Sequence, residues 1–252
     1  MITRALTTSI SASFASGNPL RKVKEYAYLL HIFNSDILSG HSTCRSNTDF
    51  QILFSDFFSF SAQSYGTVGG TKLNHYFDVF DDLVANPSHR TMSYVLNGLL
   101  AINHHIELSY ASKMLHMFDN DLPIWDSWLI PPTCSKSGYA INIHFKDPFY
   151  GGIRNKSFAS IADAVAEYNR YVECFNRYKS PTFAPKPGDI NGADVISIFR
   201  SAVSPFLSSP LLAHISDSKA IDFVLWQDHG TYPGGHIKFG GARAKLMAAG
   251  LW

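Results

Sequence analysis

Ser109-Tyr-Ala-Ser-Lys-Met-Leu-His-Met-Phe118 runs directly into Asp119-Asn-Asp-Leu-Pro-Ile-Trp-Asp-Ser-Trp128. A helix through 108–118 places Leu108, Ala111, Leu115 and Phe118 on one apolar stripe, widened by Tyr110 and Met114. Ser109, Ser112, Lys113, His116 and Asn120 then fall on the opposite side by i, i+3, i+4 spacing. Lys113 thus sits in a compact polar stripe, whose ordinary role is a solvated helix face. A short loop follows, and Pro123 preorganises the entry to Ile124-Trp125-Asp126, with Trp128 two residues further on. Asp126 can cap the turn Ser127-Trp-Leu-Ile130. A carboxylate at such a position can also face a developing cation.

Outward from this stretch the chain reads as nearly all helical. Leu20 to Leu38, Thr48 to Phe60 and Lys72 to Val84 are expected helices, the last ending before Asn86-Pro87. Thr91 to Ile102 and Leu108 to Phe118 follow. Ser157 to Lys179 is the clearest helix: Ile161, Val165, Tyr168, Val172 and Phe175 recur at 4-3-4-3 spacing, which predicts a buried stripe. Pro181-Thr-Phe-Ala-Pro-Lys-Pro-Gly188 reads as a stiff connector. Asp194 to Val203 and Ser216 to His229 complete the set, the latter capped by Ser216 or Asp217. One segment breaks the pattern, since Tyr139, Ile141, Ile143 and Phe145 alternate with Ala140, Asn142 and His144 at strand period. The expected fold is mainly α and one helical unit over 1–252, in one or two lobes, with a short hairpin or extended flap near 139–145.

Composition limits the function classes. The chain has 252 residues, enough for a substantial core. At 14% aromatic and 16% charged it is rich in rings and poor in charges, which implies an extensive core or a surface that makes contacts through aromatic faces. A net charge of +1 provides no global basic field, so a nucleic-acid grip needs a local patch. Three scattered cysteines, Cys44, Cys134 and Cys174, fit a reducing compartment and argue against a disulfide framework or a zinc site. The apolar runs are too short to span a bilayer. Residues 1–24 contain no acid and carry Arg4, Arg21, Lys22 and Lys24, a loosely transit-peptide-like composition that reads better as a lead-in to the first helix. No HExxH, Gly-x-Ser-x-Gly or P-loop pattern occurs, so metal, serine-hydrolase and nucleotide-hydrolase readings fall away. Neither a metal nor a cofactor is expected.

Ala111-Ser112-Lys113, the apolar Met114-Leu115, and Leu122-Pro123-Ile124-x-Asp126 resemble bacterial proteins with the 8-oxoguanine-glycosylase fold, relatives of the helix-hairpin-helix DNA glycosylases. Ile221-Asp222-x-x-Leu225-Trp226-Gln227 is similar to their C-terminal helix, and Tyr168-x-x-Tyr171-x-x-x-Phe175 to their long helix after the site. The resemblance covers roughly residues 90 to 230. It implies that Asp126 is the catalytic carboxylate, stabilising a sugar with oxocarbenium character and orienting or deprotonating water. Lys113 is the tempting match to the lysine nucleophile of bifunctional relatives. In the family, however, that lysine lies further upstream of the aspartate, and the same separation here falls near Glu107. A monofunctional enzyme that leaves an abasic site is therefore expected, with Lys113 as a site or phosphate-contacting residue.

The family's glycine-rich hairpin is replaced by Ala101-Ile-Asn-His-His-Ile-Glu-Leu108. DNA contacts are then expected from Asn103, His104 and His105, and from Lys238, Arg243 and Lys245. A flipped base needs apolar or aromatic walls. Trp125, Trp128, Phe149 and Tyr150 are candidate walls, with His116 and Asn142 beside them; Trp226 and Tyr232 are further candidates, and His144 or Gln227 could read the base edge. The resemblance extends to anti-phage glycosylases that remove glucosylated hydroxymethylcytosine, so a bulky modified base in DNA is one expected partner. An oxidised purine is another, and a non-catalytic DNA-binding or partner-binding helical module is the alternative class. The expected setting is a monomer in the bacterial cytosol.

Overall fold

A computed structural model describes residues 12, 14–15, 17–58, 60, 65–66, 68–125, 158–180, 182, 190–228, 245 and 247–250, with the backbone alone described at 18 and 225–228. The fold is mainly α, and nine α-helices lie among the described residues. They are α1 Gly17–Ile32, α2 Thr48–Phe57, α3 Thr71–Ala85, α4 Met92–Asn103, α5 Leu108–Phe118, α6 Ile161–Lys179, α7 Gly192–Val203, α8 Ser209–Ala213 and α9 Asp217–Asp228. Helix α1 continues into a π turn, Phe33–Ile37, and 3-10 turns follow α3 at Pro87–His89 and α7 at Ser204–Phe206. The expected alternating segment at 139–145 lies outside the described residues.

Local sequence explains most helix starts. Asn47, Thr91, Ser160 and Asn191 each accept a hydrogen bond from the backbone N–H three residues on, at 2.9, 3.2, 3.1 and 2.8 Å. Ser216 does the same for α9, accepting from Lys219 N at 3.0 Å. Helix α3 ends at Ala85 because Pro87 follows. The expected bounds of α5 are the observed ones.

Two helix faces differ from the simplest reading of their sequence. The polar stripe of α5 is not a solvated face: Ser112, Lys113 and His116 are buried together with Leu108, Ala111, Met114, Leu115 and Met117. On α6 the buried stripe is Ala164, Tyr168, Tyr171, Cys174, Phe175 and Tyr178, joined by Glu167, whereas Ile161, Val165 and Val172 are only partly buried. The stripe is rotated because Tyr171 and Tyr178 reach inward to main-chain carbonyls, which apolar periodicity alone cannot register.

Among the described residues, the aromatic side chains go largely into the core. Phe33, Phe50, Phe54, Phe77 and Phe80 interlock across the π turn, α2 and α3, and Phe118 closes the cluster 5.2 Å from Phe33, edge to face. A second group joins Tyr26 and Phe57 to Phe223, which stacks on Phe199 at 5.7 Å and fixes α9 against α7. Edge-to-face pairs of this kind add about 0.5–1.5 kcal/mol beyond area burial. Arg21 and Lys22, from the acid-free N-terminal stretch, lie in α1 and are buried. No helix among the described residues is long and apolar enough to cross a membrane.

Helices α6 and α7 meet where a side chain has no room. A Cβ on Gly192 would lie 2.4 Å from the Tyr178 carbonyl oxygen. Gly192→Ala should therefore destabilise the fold by about 1–3 kcal/mol through overpacking. Chemical denaturation should register that loss; an unchanged midpoint would mean that α6 and α7 do not approach this closely.

Candidate functional site

Between α5 and α6 the chain leaves regular structure at Asp119, yet Pro123, Ile124 and Trp125 are buried. Buried backbone polar groups need partners, and four of those here are met by side chains. The Leu122 carbonyl accepts from His116 Nδ1 at 2.6 Å. The Pro123 carbonyl accepts from the Tyr168 hydroxyl at 2.9 Å, and the Ile124 carbonyl from the Tyr171 hydroxyl at 3.2 Å. The Trp125 N–H donates to Ser112 Oγ at 2.9 Å. The start of the segment is tied to the approach to α9 and to the end of α6: Ser216 Oγ donates to the Asn120 carbonyl, Asn120 Nδ2 donates to the His214 carbonyl at 2.8 Å, and Lys179 pairs with Asp121 at 3.4 Å.

His116 is the node of this arrangement. A carbonyl only accepts, so Nδ1 must carry the proton facing Leu122. In the neutral ring Nε2 is then an acceptor, and the Tyr26 hydroxyl donates to it at 2.6 Å. The energetics agree, because burial, reinforced by the nearby Lys219 charge, pushes the imidazole down to about 3. Burial and the Asp222 and Asp121 charges hold the Tyr26 phenol well above its usual range, so it remains a donor.

Three ammonium groups from three helices gather at the C-terminal end of α2. Lys22 Nζ donates to the Asp56 carbonyl at 3.4 Å and lies 5.4 Å from the centre of the Phe57 ring. Lys113 Nζ donates to the Phe58 carbonyl at 3.4 Å and lies 5.0 Å from the Tyr110 ring. Lys219 stands 4.9–5.1 Å from the rings of Tyr26, Phe57 and Phe223. The negative end of the α2 dipole and the ring faces both favour cations here. Glu25 pairs with Lys22 at 2.6 Å and with Arg21 at 3.3 Å, and Asp222 pairs with Lys219.

Of the residues expected from sequence, Lys113 lies in this cluster and is 6% exposed. His116 lies beside it with both ring nitrogens engaged within the fold. Trp125 is buried against Tyr171 and Phe158 at 5.5 and 6.1 Å. Asn103 faces inward, at 8% exposed, while His104 and His105 are exposed in the α4–α5 connection, with His104 in the left-handed region at φ 59°. Lys245 pairs with Asp49 at 2.6 Å, away from this cluster. Asp126, Trp128, Asn142, His144, Phe149, Tyr150, Tyr232, Lys238 and Arg243 lie outside the described residues, as do the side chains of Trp226 and Gln227.

Sequence reading missed Tyr26, Lys22, Glu25 and Lys219 as parts of this cluster. A signal existed: Lys22-x-x-Glu25 and Lys219-x-x-Asp222 each place a Lys/acid pair one turn apart beside an apolar run. Cys44 and Cys174 are buried thiols, and among the described residues no three metal-binding side chains converge. No family model, curated protein or solved structure matches the chain.

The His116 node predicts a specific acid sensitivity. The folded value, about 3, lies below the unfolded 6.5. Between these values the unfolded chain binds the extra proton, so stability is full above pH 6.5 and falls on acidification by up to about 1.4 kcal/mol per pH unit. Urea midpoints from pH 7 to 4 should show this slope, and His116→Gln should lack that component. Equal slopes in both proteins would contradict a neutral buried imidazole. Tyr26→Phe leaves Nε2 without its donor and should cost about 1–3 kcal/mol at pH 7.

Proposed function

We propose that this chain is a DNA glycosylase that flips out a modified base and cleaves its N-glycosidic bond, leaving an abasic site. The observation that carries the reading is the 2.9 Å hydrogen bond from Trp125 N–H to Ser112 Oγ. Ser112 immediately precedes Lys113 and Trp125 immediately precedes Asp126, so this bond ties together the neighbours of the two residues that the resemblance selects. One Cα step of about 3.8 Å separates each from its tethered neighbour. Such tethering of backbone ahead of a functional carboxylate is what electrostatic catalysis requires, because a preorganised group need not be rearranged as charge develops.

In this reading Asp126 stabilises the cationic sugar and directs water to its anomeric carbon. Lys113 contributes positive charge beside the site and does not attack the sugar. Its depth and its bond to the Phe58 carbonyl favour that supporting role. The enzyme uses no cofactor and acts as a monomer on DNA in the bacterial cytosol. A bulky modified cytosine, such as glucosylated hydroxymethylcytosine in phage DNA, is the assigned substrate class.

Purified protein should generate alkali-labile sites in duplexes containing glucosylated hydroxymethylcytosine. Asp126→Asn should slow this by about 10²–10³-fold or more, the scale of losing one electrostatic stabiliser, while DNA binding and the helical circular-dichroism signal persist. Activity retained in Asp126→Asn would remove that residue from the mechanism. A borohydride-trapped covalent complex would overturn the monofunctional assignment. Release of an oxidised purine instead would reassign the substrate, and DNA binding without release of either base would identify a non-catalytic module.

A further inference from the structure

His31, in the last turn of α1, and His214, just past α8, are the two imidazoles that meet ring to ring among the described residues. Their ring centres lie 6.0 Å apart and the planes are tilted by 49°. His31 is exposed and His214 half-buried, so solvent reaches the pair. Three other histidines spend ring nitrogens within the fold. His116 is bonded on both sides, His89 meets Asp82 at 2.8 Å, and His105 meets Glu107 at 2.5 Å. Among the described residues, no hydrogen bond or ion pair engages a ring nitrogen of His31 or His214.

Both backbones are nonetheless held. His31 lies within α1, while the His214 N–H donates to the Leu211 carbonyl at 3.2 Å and its own carbonyl accepts from Asn120 Nδ2 at 2.8 Å. Two elements thus present two preset imidazoles, the condition under which ligands bind without a large ordering cost. Their spacing suits one metal ion. With metal–nitrogen bonds of about 2.0–2.1 Å, two imidazoles on one ion have ring centres roughly 5–6.5 Å apart, from the tetrahedral to the linear angle. The observed 6.0 Å falls within that interval.

The surrounding charge agrees. Tyr28 stacks on His31 at 6.3 Å, and burial with the charges of Asp49 and Asp36 pushes its phenol up, opposed by Lys245. Lys245 is itself paired with Asp49 at 2.6 Å, which leaves Asp36 as the uncompensated charge of the three. Burial and the His31 charge hold the His214 imidazole below its usual range. It is therefore neutral at neutral pH, as a metal ligand must be.

We propose that His31 and His214 form a binding site for a divalent transition-metal ion of the zinc and copper class, with water in its remaining positions. Imidazole nitrogen suits these ions. Each neutral ring donates one lone pair, and the ion exchanges two of its bound waters for them. The bound ion braces α8 against α1, and through the His214 carbonyl it steadies Asn120 at the entry to the 122–125 segment. This role goes beyond the glycosylase reading and does not rest on it.

Titration of the full-length protein with Zn²⁺ at neutral pH, without DNA, tests the site. Calorimetry should give one saturable site. In proton–nitrogen correlation spectra the ring signals of His31 and His214 should move together, while those of the doubly bonded His116 stay in place. Removing one of only two protein ligands should weaken binding by about 10–100-fold or more, in His31→Gln and in His214→Gln alike. Saturating Zn²⁺ should raise the thermal midpoint of the native protein and leave that of both variants unchanged. No saturable binding, or binding that persists unchanged in either folded variant, would overturn the site. His31 is exposed, so His31→Gln should keep the native circular-dichroism spectrum. Should His214→Gln not fold, His31→Gln alone decides: weaker binding supports the site and unchanged binding overturns it. Glycosylase assays play no part in these readouts, so the two claims fail separately.

Discussion

Three consecutive carbonyls and the next N–H, from Leu122 to Trp125, lie in the interior without any helix to satisfy them, and the fold is arranged to supply their partners. His116, Tyr168, Tyr171 and Ser112 each provide one bond. These donors and acceptors come from α5 and α6, and Tyr26 of α1 sets the tautomer of His116. An unmet group in this segment would cost roughly 1–3 kcal/mol, a large share of the 5–15 kcal/mol by which domains are stable. The four bonds therefore act as a condition on how α1, α5 and α6 can be placed, more than as a sum of small gains. A helix turned by one residue would lose its partner and leave a buried orphan.

The buried charges impose a second condition. Lys22, Lys113 and Lys219 reach the end of α2 from three directions, with Glu25 and Asp222 between them. Desolvating so many ions is expensive, and apolar side chains of similar size often stabilise an interior as well or better. Stability alone therefore gives little reason for this cluster. Ionisable groups concentrated in this way are more often found where chemistry or ligand charge must be met, which supports looking for the site beside Lys113.

The helical frame was legible in the sequence because its signals are local. Caps at Asn47, Thr91, Ser160 and Asn191, and Pro87 after α3, act within a few residues of themselves. The short α8 was not legible: five residues containing Pro210 offer no period to detect. The polar stripe of α5 was legible as a set of residues, with a solvated face as its ordinary role, but its burial was not legible, because its partners are remote in sequence. Tyr26 lies 90 positions from His116, and Phe58 lies 55 from Lys113. Spacing reports which residues share a face, and the face's environment is set by the elements that pack against it. The rotated stripe of α6 has the same origin, since Tyr168 and Tyr171 turn inward to carbonyls of the 122–125 segment and Tyr178 to the Ile190 carbonyl, partners that lie far from any local period. The resemblance singled out Lys113 in the same way, by local pattern, and it was the packing that revealed Lys22 and Lys219 beside it.

Helix α5 is consequently polar and buried at once, and each polar group on it faces a different neighbour. Glu107 at its start meets His105, Ser112 holds the segment that follows the helix, Lys113 reaches α2, and His116 reaches α1. An apolar helix in this position could slide or rotate at modest cost, because dispersion contacts are largely interchangeable. With these four groups fixed to four directions, a shift of one residue would break every polar contact together. The polar residues thus trade stability for a single register, and that register keeps the Lys113 backbone and the peptide before Asp126 within one hydrogen-bonded frame.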